Sequence, residues 1–79
     1  MNERLKSLLV DDLELNPDGL HAEARVEDAG MDSLAVVELS LILSERHGVQ
    51  ISEDLLASAT TVGALNRLVE EHLEAGGQR

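Results

Sequence analysis

The chain has no cysteine, no aromatic residue, a single proline and only six basic side chains among its 79 residues. Each shortage removes a class of structure or function. Without cysteine there is neither a disulfide nor a thiolate-held metal to supplement a small core, and the redox compartment is left open. Without Phe, Tyr or Trp the core has to be built from Leu, Val, Ile, Ala and Met, and the stacking platforms that bind single-stranded nucleic acid are missing. Sixteen acids against the six bases give a formal net charge of −10. That sign repels phosphate backbones and anionic lipid surfaces and speeds encounter with basic partners, so neither nucleic acid nor membrane is an expected partner. No apolar run reaches membrane length, and Met1-Asn2-Glu3-Arg4 does not begin a signal peptide, which makes the cytoplasm the expected location. A chain of this length forms one domain that buries roughly 60–65% of its unfolded surface.

What is present is helical. Leu5, Leu8, Leu9 and Leu13 recur at i, i+3, i+4 and i+8, which predicts a first helix over Asn2–Glu14 with Asn2 as its N-cap. Asp12 lies on the leucine side, so the stripe weakens near the helix end. Asn16-Pro17-Asp18-Gly19 is turn chemistry, and it opens a stretch of 17 residues, Asn16 to Asp32, without clear periodicity. Loops of that length are usually functional or locally structured; Leu20 and Val26 are the anchors expected to tie this one to the core. A helix follows from Leu34 to His47 and stops at Gly48, a suitable C′ residue. Val49 and Ile51 plug the core, and Ser52 caps a one-turn helix through Ala57 with Leu55 and Leu56 as its apolar payload. Thr60 or Thr61 caps the last helix, in which Val62, Leu65, Leu68, Val69, His72 and Leu73 keep one face apolar down to Glu74. No strand-like alternation is present. The expected fold is all-α, with three longer helices and one short one.

The stretch Gly30-Met31-Asp32-Ser33-Leu34 and the helix behind it carry the functional signal. With Leu34 at zero and about 100° per residue, Val36, Leu39, Ser40 and Leu43 cluster around 180° and form a core stripe. Leu34, Val37, Glu38, Leu41 and Glu45 fall between about 300° and 40°, mixing exposed aliphatics with carboxylates as a docking surface does. Several chemistries fail on spacing. The Ser33 segment lacks the second glycine of a nucleophile elbow and no strand precedes it. His21, His47 and His72 have no partner at i+3 or i+4, so no metal site is expected. The calcium-loop-like start at Glu14-Leu15-Asn16-Pro17-Asp18-Gly19 has Arg25 where the bidentate Glu is required. Asp32 or Ser33 could serve only as an ordinary helix N-cap. The competing reading is a serine placed for modification by another enzyme, at a helix N-terminus that favours a phosphodiester's charge.

Asp32-Ser33-Leu34, followed by Val37-Glu38-Leu39, Val49-Gln50-Ile51 and Thr60-Thr61-Val62, resembles the acyl carrier protein family. The resemblance runs from about Leu5 to Leu73. It implies a four-helix bundle of acyl-carrier type over residues 1–75, with residues 76–79 as a flexible tail. It also implies a 4′-phosphopantetheine arm on Ser33, flanked by Asp32 and Leu34 of the motif, that holds acyl groups as thioesters. The chain would then be a discrete, monomeric carrier and not an enzyme. Its partners would be a phosphopantetheinyl transferase and acyl-processing enzymes such as a ketosynthase or acyltransferase, docking on Leu34, Val37, Glu38, Leu41 and Glu45. Ala35 stands where fatty-acid carriers commonly have an acid, which favours a polyketide or related specialised pathway over fatty-acid synthesis. Ala29 stands where the motif often has Leu. Met31 replaces the second glycine typical of peptidyl carriers, making a peptidyl or aminoacyl carrier the alternative within the class. An unmodified acidic helical adaptor is the alternative outside it, and a Ser33 nucleophile a distant third.

The charge alone yields a test. With −10 on 79 residues, self-repulsion opposes the folded state and salt screens it. The thermal midpoint is expected to rise between low and moderate salt; a flat or falling midpoint means that the acids are already compensated.

Overall fold

Asn2 opens the first helix as its N-cap. Its Oδ1 accepts from the N–H groups of Arg4 and Leu5 at 2.9 and 3.2 Å, and its own N–H donates to Asn66 Oδ1 at 2.8 Å, which ties the start of the chain to the last helix. The computed structural model describes residues 2–76, with side chains for residues 2–73. Helix α1 (Glu3–Ser7) runs directly into a π-helical stretch (Leu8–Asp12) instead of continuing as α-helix to Glu14. There the Leu13 N–H reaches back five residues to the Leu8 carbonyl at 3.1 Å, and the Leu15 N–H reaches the Leu9 carbonyl at 2.9 Å. The widened turn changes the phase of the stripe. Leu5, Leu8 and Leu9 stay buried, and Leu15, beyond the helix, is brought into the core as well. Asp12, on the leucine side, is accommodated by Arg46 of the next helix, whose Nη1 donates to Asp12 Oδ2 at 2.9 Å.

Helix α2 (Ser33–His47) ends at Gly48, whose φ of 65° is the left-handed conformation that lets its N–H return to the Leu43 carbonyl. The buried residues of α2 are Ala35, Leu39 and Leu43. Val36 and Ser40, expected in the stripe, lie at its half-buried edge, and Ala35 takes the place on the other side. Ser40 has a definite task there: its hydroxyl donates to the Ile51 carbonyl at 3.0 Å and fixes the connection to the next helix. Val49 and Ile51 fill the core. Helix α3 (Glu53–Ala57) is capped by Ser52, which accepts from the Leu55 N–H at 3.2 Å. Of its two leucines only Leu56 is buried; Leu55 is exposed, because one and a half turns can aim a single apolar residue at the core. Thr61 caps helix α4 (Val62–Gly76) by accepting from the Ala64 N–H at 3.2 Å. Helix α4 buries Val62, Leu65, Val69 and Leu73. It continues through Gly76, where the tail was expected to begin; residues 77–79 of that tail lie outside the described residues.

The long loop is tied down by backbone. After a 3-10 turn (Pro17–Gly19), residues 22–26 pair antiparallel with the entry to α4. The Gly63 N–H donates to Ala22, the Val62 N–H to Ala24 and the Val26 N–H to Thr60, at 2.9, 2.8 and 3.0 Å. Leu20 and Val26 pack against the core as expected, but the deeply buried anchors of the loop are Ala29 and Met31. No strand longer than this single bridge occurs among the described residues, so the fold is an all-α bundle of four helices. The described residues contain two ion pairs, Arg25–Glu27 and Arg46–Asp12, which leaves most of the acids without a cationic partner.

Gly63 tests the loop clamp. A Cβ at this position would meet the Ala22 carbonyl oxygen at 2.9 Å and the Ala22 Cβ at 3.2 Å. Helix propensity alone has Gly63→Ala stabilise α4 by about 1 kcal/mol. Contact with a hydrogen-bonded backbone outweighs that, and the variant is expected to be less stable by about 1–3 kcal/mol in urea unfolding. A gain in stability contradicts the clamp.

Candidate functional site

The clamped loop delivers the chain to α2 in a fixed register. The Met31 N–H donates to the Val26 carbonyl at 2.9 Å, and the Met31 side chain is buried. Asp32 then turns into the helix with extended backbone angles, and its Oδ1 accepts from the Ala35 N–H at 2.8 Å. Asp32 is therefore the N-cap, and Ser33 is released from that duty. Ser33 occupies the first position of a 15-residue helix, is exposed, and its hydroxyl makes no hydrogen bond among the described residues. The unpaired N–H groups and the dipole of the helix start favour negative charge beside it.

Beside Ser33 a cleft of about 400 Å³ opens between the loop, the start of α2 and α3. Ser33, Asp32, Glu27 and Thr60, all exposed, stand at its mouth, while the buried Met31, Leu56 and Leu65 form its floor. These residues come from four separate parts of the chain, and the spacing of the sequence did not connect them. The two carboxylates of the mouth are engaged. Asp32 caps the helix, and Glu27 Oε1 accepts from Arg25 Nη2 at 2.6 Å. That hydrogen bond, and then the charge of Glu27, raises the Arg25 pKa above its ordinary value. No His, Lys or Cys lines the cleft, so nothing there is arranged to take the proton of Ser33 for nucleophilic attack. An exposed, uncommitted hydroxyl at a helix N-terminus, with a mainly apolar cleft alongside, fits a group that is attached from outside through an anionic linkage. Among the described residues no cluster of three metal-ligating side chains occurs, and no helix is long and apolar enough to cross a membrane.

The outer face of α2 presents the other residues singled out by the helical wheel. Leu34 and Leu41 are 64% and 55% exposed, Glu38 and Glu45 are exposed, and Val37 is half-buried. Two leucines are thus left open on one helix, with exposed carboxylates on the same helix. Ala35 is not part of that face. It is 9% exposed and packs in the core, where its small size suits the approach of the helix start to the bundle.

Comparison with known proteins adds the identity that geometry alone does not supply. Residues 3–69 match the family described as "Phosphopantetheine attachment site". The acyl carrier protein of Wolinella succinogenes is 37% identical over 67 residues, covering 84% of this chain and 88% of that protein. The acyl carrier protein of Chlamydia trachomatis is 32% identical over 73 residues, 91% of this chain and 95% of that one. That of Clostridium perfringens is 33% identical over 75 residues, 94% and 99% of the two chains. With the family match spanning most of the bundle and relatives aligned along nearly their whole length, the chain belongs to the acyl carrier proteins, carriers rather than catalysts, whose cofactor is 4′-phosphopantetheine.

Proposed function

We propose that the chain carries acyl intermediates as thioesters on a 4′-phosphopantetheine arm attached to Ser33 Oγ. The observation that carries this reading is the division of labour between neighbours: Asp32 supplies the cap, at 2.8 Å from the Ala35 N–H, and leaves the Ser33 hydroxyl exposed. The bound arm supplies the thiol that holds the acyl group. The protein does the rest by position. Ser33 presents its oxygen to a transferase, the start of α2 favours the negative charge of the linkage, and Met31, Leu56 and Leu65 line an apolar recess next to the attachment point. The carrier domain of residues 1–75, the monomeric state and the cytoplasmic setting belong to the same proposal.

Partners dock, in this reading, on Leu34, Val37, Glu38, Leu41 and Glu45. They comprise the phosphopantetheinyl transferase and acyl-processing enzymes, including a ketosynthase or acyltransferase, with basic docking surfaces. The pathway we favour is polyketide or related specialised acyl biosynthesis. Its support is that the first turn of α2 carries no acid, Ala35 being buried at the position where fatty-acid carriers commonly have one. A peptidyl carrier is disfavoured by Met31, whose side chain fills the space under the loop.

Two sets of variants test these assignments. Ser33→Ala is expected to fold with nearly unchanged stability and, by intact mass, to take up no arm from coenzyme A and a transferase. Asp32→Ala is expected to lose about 0.5–2 kcal/mol, because it removes the cap. Uptake by Ser33→Ala at the wild-type extent moves the site elsewhere. On the docking face, Glu38→Lys is expected to slow association with the transferase and flatten its salt dependence, whereas Leu41→Ala is expected to raise the dissociation rate. Glu71→Lys, on an exposed position of α4, is the charge-matched control. If it slows association as much as Glu38→Lys, net charge and not the α2 face governs the encounter.

A further inference from the structure

The six bases are scattered so that Arg25 is the only Lys or Arg between Lys6 and Arg46. The neighbourhood of Ser33 is correspondingly acidic. Asp32 and Glu27 stand with it at the mouth of the cleft, and Asp28 follows Glu27 in the same loop. A phosphodiester on Ser33 adds a further negative charge among them, and like charges within a few ångströms repel unless a cation intervenes.

Arg25 does not itself line the cleft, but its guanidinium is paired with Glu27, which shares the mouth of the cleft with Ser33. The backbone of Arg25 is fixed by the bridge to Thr61, and its carbonyl accepts from the N–H groups of Asp28 and Ala29 at 3.0 and 3.1 Å. Its side chain is free to move by comparison. It is 63% exposed, and its one ion pair among the described residues is with Glu27 at 2.6 Å. Exposed pairs of this kind are weak, so the guanidinium can be drawn to a competing anion. A phosphodiester offers oxygens that match the planar donor fork of Arg.

We propose that Arg25 is the counter-ion of the phosphodiester on Ser33, moving from Glu27 to the linkage, in whole or in part, once the arm is attached. The inference rests on Ser33 as the attachment point. It gives the Arg25–Glu27 pair a role: in the unmodified chain Glu27, at the mouth of the cleft, holds the cation in reserve, and in the modified chain the cation restrains the base of the arm. Since Arg25 sits on the clamped loop and Ser33 on α2, the contact would bridge the two walls of the site.

The test uses the full chain before and after the arm is transferred from coenzyme A. Nuclear magnetic resonance follows the Nε–H signal of Arg25 and the phosphorus signal of the linkage. The Arg25 signal is expected to shift on modification while that of Arg46 stays in place. The phosphorus signal is expected to shift in modified Arg25→Gln and to return towards the wild-type position in Arg25→Lys, which keeps the charge. The Arg25 response is expected to fade at about 1 M salt, where the screening length is about 3 Å. An Arg25 signal that ignores modification, with a phosphorus signal identical in wild type and Arg25→Gln, overturns the proposal. If Ser33→Ala still acquires the arm, the attachment reading fails; if Ser33 carries the arm and Arg25 is silent, only the present inference does.

Discussion

Three backbone hydrogen bonds between residues 22–26 and the entry to α4 hold the site together. Each is worth only about 0.5–1.5 kcal/mol net, yet what they restrain is a long loop whose one regular element is the single 3-10 turn at Pro17–Gly19. The pairing brings Val26 and Thr60 to one side of the cleft, sets Met31 into the core and starts α2 at Asp32. Gly63 makes it possible, because no side chain fits between α4 and the Ala22 carbonyl. On the opposite side, the Ser40 hydroxyl fixes Ile51 at the entrance to α3. The walls of the cleft are thus pinned at their bases by specific polar contacts, in a protein whose aliphatic core has no aromatic side chain to lock it.

The helices were legible in the sequence because their signals are local. Asn2 and Ser52 announced two caps, Gly48 a stop, and the leucine and valine spacings picked out Leu39 and Leu43 of α2 and the buried Val62, Leu65, Val69 and Leu73 of α4. Even the outward face of α2 could be assigned, since Leu34 and Leu41 have no place on the stripe set by Leu39 and Leu43. The π-helical turn at Leu8–Asp12 was not legible. It accompanies the burial of Leu15 and the contact of Asp12 with Arg46, 34 residues away, and tertiary contacts of that kind leave no trace in local periodicity. The same holds for the exposure of Leu55, which is decided by how short α3 is and how it lies on the bundle.

The Ser33 site was half legible. The motif Asp32-Ser33-Leu34 carried the resemblance, but local features could not distinguish a serine that caps from one that is presented. The structure separates the two by giving the cap to Asp32. Ala35 shows the reverse: the sequence marked it only as a missing acid, and the structure adds that the residue faces the core. The Arg25–Glu27 pair gave no sequence signal, because a basic residue two positions from an acid in a loop is ordinary and only the fold brings Glu27 to the cleft that Ser33 lines.

Charge links fold and function in this molecule. The acids that oppose the folded state by self-repulsion include Glu38 and Glu45, exposed on the same helix as Leu34 and Leu41, so in the docking reading proposed above one charge excess acts on both stability and encounter. The central claim is narrower: that the arm is attached at one exposed hydroxyl, at the head of α2. Site mapping tests it most directly. The chain is treated with coenzyme A and a phosphopantetheinyl transferase, then fragmented in tandem mass spectrometry to locate the added mass. All of the added mass is expected on Ser33. Its appearance on Ser40, Ser44, Ser52 or any other side chain, with Ser33 unmodified, would contradict the claim.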